Sequence, residues 1–227
     1  MLGGNQRARS DALVVAALEE GQEAVADLVG CHAGESRLRA MRVTSSRVVY
    51  ENRWMRLHED RTELPDGTPG LYAWVEKPPS AIVVALDEDG VWLVEQFRHP
   101  VGERFWEFPQ GAWEDAPGVD AEELARGELA EETGLRAARL DCLGRLYFAY
   151  GLSDQYVDVW RATGLEPGVQ ALEPTEYGLV ARRFERTEVE RMIRSNEIRD
   201  AASVAAWHLV SSADDSACRS ASLPGSS

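Results

Sequence analysis

Three glutamates with helical spacing carry the strongest chemical signal in this sequence. They are Glu128, Glu131 and Glu132, at positions i, i+3 and i+4, so a helix would place all three carboxylates on one face. Between Gly111 and Leu135 there are eight acidic residues and a single basic one. Oxygen ligands suit hard cations such as Mg²⁺ or Mn²⁺. The pattern indicates a divalent metal site, and the alternative is a solvated acidic helix face.

The sequence also marks the two ends of this helix. Asp120 is a favourable N-cap, Glu123 follows it at capping-box spacing, and Gly134 suits the left-handed residue that ends a helix. A modest apolar stripe is supplied by Leu124, Ala125 and Leu129. Upstream, residues 105–111 are typical of a short strand that enters a glycine turn. The predicted unit is therefore a strand, a glycine loop and an acidic helix.

This unit resembles the Nudix box, which reads Gly, five residues, Glu, seven residues, then Arg-Glu-Φ-x-Glu-Glu-x-Gly-Φ, where Φ is a bulky aliphatic residue. Residues 128–135 match the second half without a gap, and Gly111 matches the opening glycine. Over residues 43–210 the chain resembles the ADP-ribose and nucleotide-sugar pyrophosphatase branch of this family. Its further landmarks are residues 94–100, 106–111, 151–155 and 196–203.

The chain departs from the box in two places. The loop after Gly111 is two residues longer than in the family, so Val119 falls where the mid-loop glutamate is expected. The candidate substitutes for that glutamate are Asp120, Glu122 and Glu123. Gly127 stands in place of the family's arginine, with Arg126 one position earlier. Because glycine weakens a helix, we expect Gly127→Arg to stabilise the helix and to preserve or raise activity.

The resemblance implies an α/β fold, an α/β/α sandwich with a mixed sheet, preceded by a small antiparallel β region. Residues 1–40 would form a helix and linker extension, and residues 41–78 a β region that dimerises and contacts the nucleotide. Residues 79–210 would be the catalytic domain, and the Ser- and Asp-rich residues 211–227 a disordered tail. Strands are expected over 47–52, 54–64, 71–76, 81–86 and 91–95, and helices over 187–196 and 201–210.

The same resemblance assigns roles to the acidic residues. Glu128 and Glu132 are the first candidate metal ligands, followed by Glu131 and the backbone carbonyl of Gln110. The general base would lie on a late loop, where Glu176 is preferred and Glu173 is the alternative, with Glu131 as a further candidate catalytic residue. On the opposite interpretation, Glu173 and Glu176 are ordinary loop acids.

Candidate substrate contacts are less specific. Arg98 could pair with a diphosphate, because a guanidinium binds phosphate oxygens bidentately, or it could form a surface ion pair. Glu107 could join the metal site or cap Arg98. Trp54 and Trp74 could stack on a base, although packing in a core or interface is the commoner role for such residues. Ser153, in the turn at residues 151–155, completes the candidate substrate-binding set.

The function implied by the resemblance is Mg²⁺- or Mn²⁺-dependent hydrolysis of ADP-ribose or a related nucleotide sugar to a nucleoside monophosphate and a sugar phosphate, by a homodimer. The alternative within this class is a GDP-mannose or other NDP-sugar hydrolase. Gly127 and Gln155 motivate an alternative of another class, a catalytically weak sensor that binds a nucleotide sugar. A transcription regulator is disfavoured, because no basic helix-turn-helix is visible.

Composition restricts the partners and the compartment. The 227 residues carry a net charge of −15, which disfavours binding to nucleic acid or to an anionic membrane surface. No window of about 20 apolar residues predicts a membrane span, and the N-terminus does not resemble a secretory signal. The three cysteines lack ligand-like spacing, and their odd number suits free thiols in the cytoplasm.

Overall fold

The structure is a computed structural model that describes residues 41–221 except 115 and 117, with residues 175 and 214–221 described by their backbone alone. The predicted extension at residues 1–40 lies outside the described residues. The described part opens with β1 (Arg42–Glu51), β2 (Arg56–Glu63) and β3 (Pro69–Glu76), which form an antiparallel sheet in the order β1-β2-β3. The expected N-terminal antiparallel β region is thus confirmed. Trp54 lies in the turn before β2.

A larger mixed sheet follows, and its strands are β4 (Ser80–Leu86), β5 (Gly90–Arg98), β6 (Glu103–Glu107), β7 (Gln110–Gly111), β8 (Leu135–Tyr147), β9 (Tyr156–Pro167) and β10 (Val180–Glu185). Its main path runs β10-β5-β4-β9-β8, with β6 paired to β5 and β7 paired to β4. The β4–β9 pair is parallel, whereas the other pairs are antiparallel.

In the described part of the chain, three helices cover this sheet: α1 (Ala121–Thr133), α2 (Arg186–Arg194) and α3 (Ala201–Ala221). Strand β4 is buried throughout, and its side chains alternate between two apolar clusters. Ile82, Val84 and Leu86 share the first cluster with α2 and α3. Ala81, Val83 and Ala85 share the second cluster with Leu124, Ala125 and Leu129 of α1. The predicted α/β/α sandwich with a mixed sheet is confirmed.

Two helix ends differ from the prediction. Helix α2 ends at Arg194 rather than near Asn196, because Asn196 has a left-handed backbone with φ 61°. Residues 211–221, expected to begin a disordered tail, continue α3. Their Ser and Asp content suggested disorder, but neither glycine nor proline interrupts the segment before Pro224.

Candidate active site

Helix α1 carries the acidic residues of the site. Asp120 caps its first turn, accepting hydrogen bonds from the backbone N–H groups of Glu122 and Glu123, and Gly134 ends it with φ 70°. With the apolar stripe of α1 packed on the sheet, the side chains of Glu128 and Glu132 enter the protein. They are only 3% and 1% exposed, so the solvated-face interpretation does not apply to them.

The turn around β7 holds both buried carboxylates. The backbone N–H of Gln110 donates to Oε2 of Glu132 at 3.0 Å. Gly111 lies directly against Glu128, and a Cβ atom there would come within 2.7 Å of its Cδ. Glycine is therefore required at position 111 because a larger residue would displace the Glu128 carboxylate.

A late loop closes over the C-terminal end of α1. Three carbonyl oxygens at that end accept hydrogen bonds from it: Gly134 from Gly168 N at 2.5 Å, Glu132 from Gln170 Nε2 at 2.6 Å, and Glu131 from Ala171 N at 3.0 Å. These are groups that a helix end leaves without helical partners. The loop therefore has a fixed position relative to the α1 carboxylates.

This loop delivers Glu176 to the site through a short 3₁₀ turn, Pro174–Glu176. Glu173 and Glu176 form a reciprocal capping box, in which Oε2 of Glu176 accepts from the backbone N–H of Glu173 at 2.7 Å. One oxygen each from Glu128, Glu132 and Glu176 then lies within 4.8 Å of the others. The structure thus brings Glu176 to the α1 carboxylates, while Glu173 braces the turn.

The electrostatics of this cluster are unfavourable without a cation. Burial, followed by the charges of Glu131 and the loop glutamates, raises the pKa of Glu128 to about 8. Burial also raises the pKa of Glu132 well above its usual range, and the pKa values of Glu131 and Glu176 in the same direction. Buried carboxylates that face one another are stabilised either by protons or by a bound cation.

A second polar cluster lies beside the carboxylates. Arg98 donates to both oxygens of Glu107 at 2.6 and 3.2 Å, and Gln96 Nε2 donates to the same carboxylate at 2.7 Å. Burial nevertheless raises the pKa of Glu107. Of the two roles proposed for Glu107, the structure shows the one in which it caps Arg98. The Arg98 side chain stays 40% exposed and faces the site.

Asp200 belongs to the site and was missed in the sequence. Its Oδ2 accepts from Gln110 Nε2 at 2.9 Å and from Ser203 Oγ at 2.7 Å, and Ser203 Oγ in turn accepts from Phe108 N at 2.9 Å. The available signal was an aspartate immediately before a predicted helix, which is a capping pattern. The network ties the start of α3 to the β7 turn.

The α1 and loop carboxylates, the Arg98–Glu107 cluster and Asp200 face one cavity of about 930 Å³. Of the candidate site residues, the cavity is lined by Trp54, Arg98, Glu107, Gln110, Glu128, Glu131, Glu132, Glu173 and Glu176. The structure does not bring Trp74 and Ser153 to it. Trp74 stacks on His58 at 4.2 Å and donates to Asp60, whereas Ser153 accepts from the backbone of Gln155.

Three of the four suggested substitutes for the missing motif residues, Asp120, Glu122 and Arg126, are engaged elsewhere. Asp120 caps α1, and Glu122 forms an ion pair with Arg126 at 2.7 Å. Arg126 also donates to the carbonyl of Ala137, so the structure turns it away from the cavity. Gly127 lies against the indole of Trp113, and a Cβ atom there would come within 2.6 Å of Cη2. The expectation that Gly127→Arg is stabilising is therefore contradicted, because the ring occupies that space.

Comparison with known proteins identifies the family. Residues 76–219 match the model of the NUDIX domain. The chain belongs to the Nudix family. Residues 41–75 match the nucleoside diphosphate sugar hydrolase N-terminal domain, which corresponds to the β1–β3 sheet. The predicted family membership is confirmed.

Individual relatives align with part of the chain. It is 36% identical to an ADP-ribose pyrophosphatase of Mycobacterium tuberculosis over 122 residues, 53% of this chain and 58% of that protein. It is 30% identical to a methanol dehydrogenase activator of Bacillus methanolicus over 118 residues, 52% of this chain and 63% of that protein. The aligned region thus spans about three-fifths of each relative.

A solved structure shares the fold. The crystal structure of an ADP compounds hydrolase superposes with a TM-score of 0.68 at 20% identity, covering 78% of this chain and 96% of that chain. Among the residues that the structure describes, no helix has the length and apolar character needed to cross a membrane.

Proposed function

We propose that this Nudix protein hydrolyses the diphosphate of ADP-ribose or a related nucleotide sugar, releasing a nucleoside monophosphate and a sugar phosphate. The observation that carries the proposal is the convergence of Glu128, Glu132 and Glu176 within 4.8 Å at a cavity that Arg98 also lines. The name of the Mycobacterium tuberculosis relative supports ADP-ribose as substrate, and the N-terminal domain match supports a nucleotide sugar.

The carboxylates fit a divalent cation such as Mg²⁺ or Mn²⁺. The ligand set consists of oxygen atoms, and Oε1 of Glu132 is buried without a hydrogen-bond donor among the described residues. Glu128 and Glu132 would hold the cation, with Glu131 and the Gln110 carbonyl as further ligands. When bound, the cation neutralises charge on the diphosphate and lowers the pKa of water.

Glu176 is the proposed general base. Its pKa is raised, first by burial, so it holds a proton more readily than an exposed glutamate at the same pH. The capping box fixes one oxygen of Glu176 on the backbone of Glu173. The other oxygen is left to take the proton of the attacking water. Glu173 then has a positioning role, since its own side chain caps the 3₁₀ turn.

Arg98 and Trp54 are the proposed substrate contacts. Glu107 holds Arg98 through a pair of hydrogen bonds, so its guanidinium is oriented before the diphosphate arrives. Trp54 is 46% exposed at the cavity and can stack on a nucleotide base. Trp74 already contacts His58 and Asp60, so it could bind substrate only from the surface of the β1–β3 sheet.

The protein is also proposed to be a homodimer through the β1–β3 sheet. Every residue of β1 is exposed, which leaves apolar side chains such as Val48 and Tyr50 in water, and Leu71 on β3 is 61% exposed. Exposed apolar patches of this kind mark interaction surfaces. Leu71→Asp should lower the mass measured by light scattering, and Val180→Asp, at an exposed position of β10, should not.

A screen of nucleotide sugars tests the function. Phosphate release, coupled to a phosphatase, is measured for ADP-ribose, GDP-mannose and other NDP-sugars, with and without Mg²⁺. We expect activity that requires Mg²⁺ and is lost in Glu132→Gln. It should persist in Glu123→Gln, because Glu123 is an exposed glutamate of the same helix. Binding of a nucleotide sugar without hydrolysis would instead identify a sensor.

A further inference from the structure

Gln110 connects the carboxylate cluster to the rest of the site through both its backbone and its side chain. The backbone N–H donates to Oε2 of Glu132 at 3.0 Å. The side-chain Nε2 donates to Oδ2 of Asp200 at 2.9 Å and to Oε2 of Glu107 at a longer 3.4 Å. Strand β7 is only two residues long, whereas most strands have about 3–10 residues. Because so short a strand has few ladder hydrogen bonds, the side-chain bonds of Gln110 help to fix the peptide that holds Glu132.

Asp200 is in turn fixed by the first turn of α3. Its Oδ2 also accepts from the backbone N–H and from Oγ of Ser203, at 2.8 and 2.7 Å, which is the bonding of a helix N-cap. Ser203 is fully buried, and its Oγ accepts from the backbone N–H of Phe108 at 2.9 Å. Residues 108 and 110 are therefore both tied to the start of α3, one through Ser203 and the other through Asp200.

The bond from Gln110 determines which way the Glu132 carboxylate faces. A carboxylate is planar, so holding Oε2 on the backbone N–H of Gln110 also sets the direction of Oε1. That Oε1 is buried and has no hydrogen-bond partner among the residues that the structure describes. A buried oxygen of this kind requires an explanation, and a bound cation supplies one. Oε1 of Glu132 is therefore the atom whose direction matters for the cation.

The arginine that faces the diphosphate does not depend on this arrangement. Arg98 donates both of its bonds directly to Glu107, and Gln96 Nε2 donates to the same carboxylate at 2.7 Å. The bond from the Gln110 amide to Glu107 is the longest of the four, so its loss leaves the other three in place. The cation side and the diphosphate side of the site can therefore be perturbed separately.

We propose that Asp200 is a positioning residue of the cation site, which acts through Gln110 and Ser203 to fix residues 108–110 and thereby the Glu132 carboxylate. The same residues include the Gln110 carbonyl, a further proposed ligand. The inference rests on the proposed function for the identity of the cation. Partners that orient ligand groups by hydrogen bonds typically change metal affinity or activity about 10–100-fold when removed. Since Asp200 acts through an intervening residue, we expect a loss of about 10-fold, at the lower end of that range.

The test is the Mn²⁺ affinity of the full chain, measured by titration calorimetry without substrate. Gln110→Met removes the side-chain amide, keeps the backbone N–H, and leaves the Asp200 cap of α3 intact. Both Gln110→Met and Asp200→Ala should weaken Mn²⁺ binding about 10-fold. In both, kcat should fall with KM little changed, because Arg98 keeps its bonds to Glu107. Asp200→Asn should lie closer to the wild type, since an amide oxygen can accept the same hydrogen bonds.

Asp87→Ala is the matched control. Asp87 accepts from Gly90 N at 2.7 Å in the turn between β4 and β5, and it is outside the residues that line the cavity. This variant should melt at a lower temperature than the wild type but bind Mn²⁺ as tightly as the wild type does. Equal losses of Mn²⁺ affinity in Asp87→Ala and Asp200→Ala would show that the affinity follows stability, and would overturn the positioning role.

The two substitutions in the cavity should also be coupled. Since Asp200 acts in part through the Gln110 amide, Asp200→Ala should cost less Mn²⁺ affinity in a Gln110→Met background than in the wild type. Should Asp200→Ala fail to fold, Gln110→Met and Asp200→Asn carry the test alone. Wild-type Mn²⁺ affinity in folded Gln110→Met, full additivity of the two losses, or equal losses in Asp200→Asn and Asp200→Ala would overturn the inference. A wild-type protein that binds Mn²⁺ but hydrolyses no nucleotide sugar would instead overturn the proposed function and leave this inference standing.

Discussion

Replacing Gly127 with alanine tests the packing of Trp113 on helix α1. In an isolated helix, alanine is more stable than glycine by roughly 0.5–1 kcal/mol. Here the added Cβ would lie within 2.6 Å of the Trp113 ring, and forcing an extra methyl group into packed space typically costs about 1–3 kcal/mol. The two effects oppose each other, and the net change is a loss of roughly 0–2.5 kcal/mol, centred near 1 kcal/mol.

The sign of this effect should reverse when the ring is removed. In a Trp113→Ala background there is no indole for the Cβ to meet, so Gly127→Ala should stabilise the protein by roughly 0.5–1 kcal/mol. The cost of Trp113→Ala itself enters both arms of the cycle and cancels. The coupling energy is therefore the steric term alone, about 1–3 kcal/mol.

Free energies of unfolding from urea titrations of the four proteins give the measurement, with thermal melts as a second readout. In a domain of this size, 1 kcal/mol corresponds to about 2–4 °C in Tm. A Gly127→Ala protein that is more stable than the wild type, or one with the same change in both backgrounds, would refute the packing argument. The sequence alone led to the opposite expectation for Gly127→Arg.

The cavity carboxylates carry the remaining predictions. Glu132→Gln should lower kcat at least about 100-fold in a steady-state assay, with an unchanged circular dichroism spectrum. Glu176→Gln should lower kcat about 10²–10⁴-fold with little change in KM, and Glu173→Gln should lose less because it only braces the turn. Since Glu128 has a folded pKa of about 8 against an ordinary 4.5, stability of the metal-free protein to urea should fall as pH rises through this window. Mn²⁺ affinity by calorimetry should rise over the same window, because binding displaces protons.

The sign of the pH effect follows from proton counting. Between pH 4.5 and about 8 the folded protein holds a proton on Glu128 that the unfolded chain has released, so raising the pH favours unfolding. A free energy of unfolding of the metal-free protein that rises with pH over this range would contradict the buried position of the Glu128 carboxylate.

The kinetic predictions have their own contradicting outcomes. Near-normal kcat in folded Glu132→Gln would contradict the role of Glu132 as a ligand. A larger loss of kcat in Glu173→Gln than in Glu176→Gln would exchange the two loop assignments.

The sequence by itself determined the elements whose signals are local. Asp120 and Gly134 set the ends of α1 because capping depends on the residue and its immediate neighbours. The apolar run at residues 81–86 fixed a strand buried on both faces. The i, i+4 spacing put Glu128 and Glu132 on one face. Their assignment as the first candidate metal ligands came from the resemblance to the Nudix box.

Only the tertiary structure decided which distant side chains meet. Glu176 reaches Glu132 because hydrogen bonds from the loop backbone and from the Gln170 side chain anchor the late loop to the end of α1, and no local pattern encodes that contact. Asp200 joins the site for the same reason, through Gln110. From the sequence, Gly127 was expected to weaken the helix, because residue spacing contains no information about an aromatic ring contributed by another segment. A local signal fixes backbone conformation, whereas a site is made of side chains brought together from across the chain, and packing alone determines which ones these are.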